Sequence, residues 1–99
     1  MIAHANNDGP KFPLGQTVAT PGALAALEEA GESPSFYLSR HQRGDWGLVC
    51  DEDKAANEAA LNDGSRVLSA YELSTGVKIW ILTEASPRSS TTLLLPEEY

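Results

Sequence analysis

The strongest constraint on this chain is a change of hydrophobic period towards its C-terminus. From residue 66 to residue 95 apolar and polar residues alternate in twos, the mark of strands with two chemically different faces. The pattern predicts a strand over 66–73, a hairpin loop at Ser74-Thr75-Gly76, a strand over 77–85, a looser turn over 86–90 and a last strand over 91–95. Gly76 suits the left-handed position of a three-residue loop, and Pro96 ends the ladder. Side-chain chemistry fixes the register. Setting Leu73 opposite Val77 pairs Glu72 with Lys78 and Arg66 with Glu84, two opposite-charge neighbours, and also Ala70 with Trp80 and Leu68 with Leu82. A slip of one residue would destroy all of these matches.

That register sorts the side chains. Val67, Tyr71, Leu73, Val77, Ile79, Ile81, Leu93 and Leu95 fall on one face, which should lie under helices. The opposite face is a charged frame around Leu68, Ala70, Trp80, Leu82 and Leu94. An apolar patch framed by charge is how an interaction site looks. The alternative is that the N-terminal segment, through Phe12 and Leu14, covers it.

Upstream the punctuation is helical. Thr20 is a good N-cap, Pro21 suits the first helical position and Gly31 the left-handed stop. Ala23, Leu24, Ala26, Leu27 and Ala30 form the apolar side. Ser33-Pro34 repeats the start signal for a helix over 34–42, which should turn Phe36, Tyr37 and Leu38 inward and stop at Gly44. Asp51 is read as the cap of a third helix, rich in alanine and ending at Gly64. Residues 1–19, rich in Asn, Gly and Pro at their start, read as an extended or mobile arm, in which 16–19 can add a short strand. The expected architecture is α+β: one domain over 20–99, with short N-terminal helices packed on one face of a C-terminal three-stranded antiparallel meander.

Fourteen acidic residues against seven basic ones give a net charge of −7. That argues against general nucleic-acid binding, which needs a cationic surface. It fits a protein partner, a surface that mimics the phosphates of DNA, or simple solubility. A single cysteine, Cys50, allows no internal disulfide, and the reading is a cytoplasmic protein with no membrane association. Carboxylates at positions 51–53 disfavour a Cys50 thiolate, so a buried structural cysteine is expected. His4, His41 and one cysteine offer no metal-ligand spacing, and no cofactor motif is present.

Two clusters could carry chemistry. Arg40, His41 and Arg43 gather in an otherwise acidic chain and could hold an anion. Cations at the end of a helix also complement its dipole, the plainer explanation. Arg88 with the hydroxyls over 89–92 could likewise hold a phosphate, although Ser and Thr are ordinary turn residues.

Several segments carry a resemblance: Thr20-Pro21-Gly22-Ala23-Leu24, Arg40-His41, Gly44-Asp45-Trp46-Gly47, Asp53-Lys54-Ala55-Ala56-Asn57, Leu68-Ser69-Ala70-Tyr71, Ile81-Leu82-Thr83-Glu84-Ala85 and Leu94-Leu95-Pro96-Glu97-Glu98-Tyr99. Together, over about four-fifths of the chain, they resemble a family of short proteins encoded on bacterial plasmids, integrative elements and prophages, often labelled plasmid-related. The resemblance implies an accessory gene and supplies no catalytic residues. More distantly, helices before an antiparallel sheet resemble small metal-independent ribonucleases of the barnase, colicin and RelE-toxin type. There His41, Arg88, Thr91 and Tyr99 would be the catalytic set.

Three functions follow as expectations. The first is a non-enzymatic interaction protein that binds a host or phage protein through the Trp80 face, for example to inhibit a restriction or CRISPR system. The second is the ribonuclease. The third is a homodimeric structural protein that uses the same patch.

Overall fold

The computed structural model describes residues 9–99. Elements follow in the order β1 (Gln16–Ala19), α1 (Pro21–Ala30), α2 (Pro34–Gln42), α3 (Asp51–Asp63), β2 (Val67–Glu72), β3 (Lys78–Thr83), β4 (Ser90–Leu94) and a C-terminal 3₁₀ turn (Pro96–Glu98). The chain is an α+β domain. The part of the arm before Gly9, His4 included, lies outside the described residues.

The helix signals act where the sequence put them. The Thr20 hydroxyl accepts the Ala23 N–H, and Gly31 ends α1 at φ 68°. The Ser33 hydroxyl accepts the Ser35 N–H at the start of α2. At α3 the cap differs: Cys50 occupies the N-cap without a side-chain bond, and Asp51 is the first helical residue. Cys50 is exposed, not buried as expected.

The charge-matched hairpin holds its register. Leu68 faces Leu82, Ala70 faces Trp80 and Glu72 faces Lys78, and the Leu73 N–H donates to the Val77 carbonyl. The expected three-stranded meander is, however, only part of the sheet. Four strands lie in the order β1-β4-β3-β2, with β1 parallel to β4 and the other pairs antiparallel. Strand β1 joins because the far end of the chain offers it the free edge of β4. Gln16 lies opposite Ser90 and Ala19 opposite Leu93.

The helix-covered face holds the core. Ala23 and Leu27 from α1 and Tyr37 from α2 pack with Tyr71, Leu73, Ile79, Ile81 and Leu93. Ala60 from α3 packs with Val67, Trp46 and Phe12. Phe12 therefore packs on the helix side, with Leu14 against the same cluster, and not on the Trp80 face. Three assignments to the apolar side are corrected. Leu24 of α1 is 45% exposed, and only Ala23 and Leu27 of that helix are buried. Phe36 is 57% exposed, since its neighbour Tyr37 takes the core position. Val77 is 37% exposed at the hairpin mouth, beyond the reach of the helices.

The outer edge of β2 is sealed. The Asn57 side chain, projecting from α3, accepts the Leu68 N–H at 3.1 Å and donates to the Leu68 carbonyl at 2.8 Å, as a neighbouring strand would. Residues 46–48 continue the seal: Ala70 N–H donates to the Trp46 carbonyl and Leu48 N–H to the Ala70 carbonyl. Gly47 makes this approach possible, for at φ 72° a Cβ there would run into the Ala70 carbonyl oxygen.

Candidate functional site

His41 is wholly buried, at 0% exposure. Helix α2 carries it onto the sheet, where hydroxyls from three strands wait on an otherwise apolar face. Its Nδ1 lies 2.5 Å from the Ser69 hydroxyl and its Nε2 lies 2.9 Å from the Thr83 hydroxyl. Thr83 in turn lies 2.7 Å from Thr91, and Thr91 donates to the Leu14 carbonyl at 2.7 Å.

One hydrogen per hydroxyl fixes the direction of this chain. Thr91 donates its hydrogen to Leu14, so at the next link it accepts from Thr83. Thr83, having donated, accepts from His41 Nε2–H. Nδ1 then bears no hydrogen and accepts from Ser69. Every position is filled by the neutral Nε2–H tautomer, which the network assigns. Burial, with the nearby Arg88 charge adding to it, pushes the His41 pKa down to about 3. The imidazole is a neutral core group at physiological pH.

Arg88 is also buried, at 6% exposure. It sits at φ 58°, a left-handed conformation unusual for arginine. Its guanidinium donates to the Ala60 carbonyl at 2.9 Å and to the Glu84 carbonyl at 3.2 Å. It also stacks over the Phe12 ring, 5.3 Å from the centroid. The Phe12 and His41 rings meet in a T-shaped pair, with centroids 5.2 Å apart. Phe12 is thus common to both groups and links two side chains from the second helix and the last turn. Thr91 belongs to the same assembly. Tyr99 does not: it lies across the sheet against Trp80, with ring centroids 5.5 Å apart.

The supposed anion cluster disperses. Arg40 pairs with Asp45 at 2.7 Å and lies over the Tyr71 ring at 4.6 Å. The bond to Arg40 holds the Asp45 carboxyl below its ordinary range. His41 turns inward, and Arg43 is exposed. The cleft beside Arg40, about 310 Å³, is lined by Asp45, Gly47, Leu48, Tyr71 and Glu72. Two carboxylates in that lining make it a poor anion site.

The outer face is different in kind. Leu68, Trp80 and Leu82 are partly exposed, while Ala70 and Leu94 are buried at 7% and 6%. Tyr99, itself 61% exposed, covers part of Trp80, and Arg66 lies 5.7 Å from the Tyr99 ring centre. The Glu98 carboxylate holds this end of the chain by accepting the Thr20 hydroxyl at 2.5 Å and the Leu95 N–H at 2.8 Å. Sequence reasoning placed Tyr99 in the ribonuclease set and missed it here. Its signal was position: an aromatic just beyond Pro96 can fold back over the last strands.

Among the described residues, no group of three His, Cys, Asp or Glu side chains could hold a metal ion, and no helix is long and apolar enough to cross a membrane. No family model, curated protein or solved structure matches the chain.

Proposed function

We propose that this chain is a non-enzymatic protein-binding factor that acts through the Trp80 face. One observation carries the reading: the buried helix residues Ala23, Leu27, Tyr37 and Ala60 all pack on the other side of the sheet, and Trp80, Leu68 and Leu82 remain partly open beside an exposed Tyr99. Trp and Tyr side by side, within reach of Arg66, are the residue types that dominate binding energy at protein interfaces. Net charge of −7 supports a protein partner over nucleic acid. With its resemblance to plasmid-related proteins, the factor belongs on a bacterial mobile element, in the cytoplasm, where blocking a restriction or CRISPR protein is a sensible task.

The buried assembly weakens the ribonuclease reading. A metal-independent ribonuclease needs a base that can reach the 2′-hydroxyl and a cation at the phosphorane. His41 has both ring nitrogens engaged, and Arg88 is bound to two carbonyls. Affinity capture from bacterial lysate tests the proposal: Trp80→Glu should lose the partner while keeping the native circular dichroism. Cleavage of single-stranded RNA that disappears in both His41→Ala and Arg88→Ala, with both variants folded, would replace it with the ribonuclease.

A further inference from the structure

The two edges of the sheet are treated in opposite ways. At the β2 edge the outward-facing groups of Leu68 and Ala70 are occupied by Asn57 and by residues 46–48. At the β1 edge the parity can be read from two bonds. Gln16 N–H donates to the Ser89 carbonyl and Thr20 N–H to the Leu93 carbonyl, so even-numbered residues turn towards β4. In a parallel ladder the N–H and C=O of one residue point the same way. Thr17 and Ala19 therefore aim both backbone groups away from the sheet. Among the described residues, neither Lys, Pro nor a bulge guards this four-residue edge. Beside it runs an apolar groove of about 260 Å³, lined by Val18, Ala19, Leu24, Pro34 and Leu38 among others.

We infer that β1 pairs antiparallel with β1 of a second copy of this chain, joining the two four-stranded sheets into one continuous sheet. Two features point to a second copy. The first is charge. Residues 12–27 contain no charged side chain in a chain of net −7, so two like-charged molecules meet here without direct repulsion. Glu98, which reaches the far end of the strand, is tied to Thr20 and Leu95. The second is self-complementarity. Outward-facing residues must meet outward-facing residues, and a two-fold axis at Val18 sets Thr17 opposite Ala19 of the other copy, and Ala19 opposite Thr17. Each such pair exchanges two N–H···O bonds. Val18, 43% exposed in the single chain, then faces its own copy in a non-hydrogen-bonded pair, where side chains approach most closely. The axis also makes the two Trp80 faces parts of one surface, because Val18 and Thr92 are register partners and so are Thr92 and Leu82.

Sedimentation equilibrium of the full chain should give twice the monomer mass. Thr17→Pro removes an outward donor without touching the β1–β4 bonds, and Val18→Lys sets two ammonium groups against each other at the axis. Both should sediment as monomers with unchanged circular dichroism. In a Cys50→Ser background, Val18→Cys should oxidise to a disulfide-linked dimer, whereas Gln16→Cys should not, since that residue is far from its own copy in this register. A monomeric wild type overturns the inference and leaves the edge to a strand of some other protein. So does a dimer that persists in both folded variants, which would place the contact elsewhere, such as the Trp80 face. Equal cross-linking at positions 16 and 18 would overturn the register and with it the two-fold pairing.

Discussion

The two faces of the sheet are built from the same three antiparallel strands, yet they obey different rules. On the helix side every position is sealed, and the polar residues there, Ser69, Thr83, Thr91 and His41, are all at 0% exposure and all hydrogen-bonded. On the other side Trp80 is left half-open under a single tyrosine. The difference teaches where His41 belongs: the one histidine among the described residues stands on the helix-covered face, and Trp80, Leu68 and Leu82 are what the other face leaves partly open.

The comparison is broken most forcefully by truncating the sealed face. Ile79→Ala or Ile81→Ala should cost about 2–5 kcal/mol, the range for fully buried aliphatics. That should appear as a large drop in the denaturation midpoint. His41→Leu comes next, at roughly 2–3 kcal/mol, because it strips the Ser69 hydroxyl of its acceptor and Thr83 of its donor. A His41→Leu protein as stable as wild type would show that the polar chain contributes nothing to holding the sheet.

Acid should find the same weak point. His41 is depressed from 6.5 to about 3 in the folded chain, so between those values the unfolded state binds the extra proton. The stability this group contributes is complete above pH 6.5 and is lost as pH falls towards 3, by up to about 1.4 kcal/mol per pH unit. Thermal melts across this window should show that slope, and His41→Leu should flatten it. Arg88→Met should shrink it from the acid side, since removing the neighbouring cation lets the folded-state pKa rise. A slope unchanged in His41→Leu would assign the acid sensitivity to other groups.

The smallest effect belongs to the open face. Trp80→Glu should cost about 1–2 kcal/mol, less than truncating a fully buried isoleucine, because the side chain keeps part of its surface in solvent. If it destabilises the fold as much as Ile81→Ala, the two faces are equivalent and the proposed binding surface is core.

Much of this was legible in the sequence, for reasons that differ by residue. The β2–β3 hairpin could be registered because Glu72 and Lys78 declare themselves as partners. Helices α1 and α2 could be started at Thr20 and Ser33 because a hydroxyl before proline is a local signal. Strand β1 was visible only as an option, since four residues carry little periodicity and its partner lies at the other end of the chain. His41 was read as a helix-end residue or, in the ribonuclease, a catalytic one; it does stand in the last turn of α2, but its ring turns inward onto the sheet. Its true environment was written in the register: Ser69, Thr83 and Thr91 share the apolar face, and hydroxyls there require a polar group to meet them. The seal made by Asn57 and residues 46–48 was illegible, because it depends on how closely α3 and a glycine approach the β2 edge.

That seal gives the molecule a built-in reporter. The Leu68 amide is protected by a side chain, not by a strand, and is released as soon as Asn57 withdraws. The central-strand amides are released only when the ladder itself comes apart. In deuterated water, Leu68 should therefore exchange faster than Ile81, with a protection factor set by how often α3 lifts from the sheet. Measured at that one site, the docking equilibrium of a single helix can be followed while the rest of the domain stays folded.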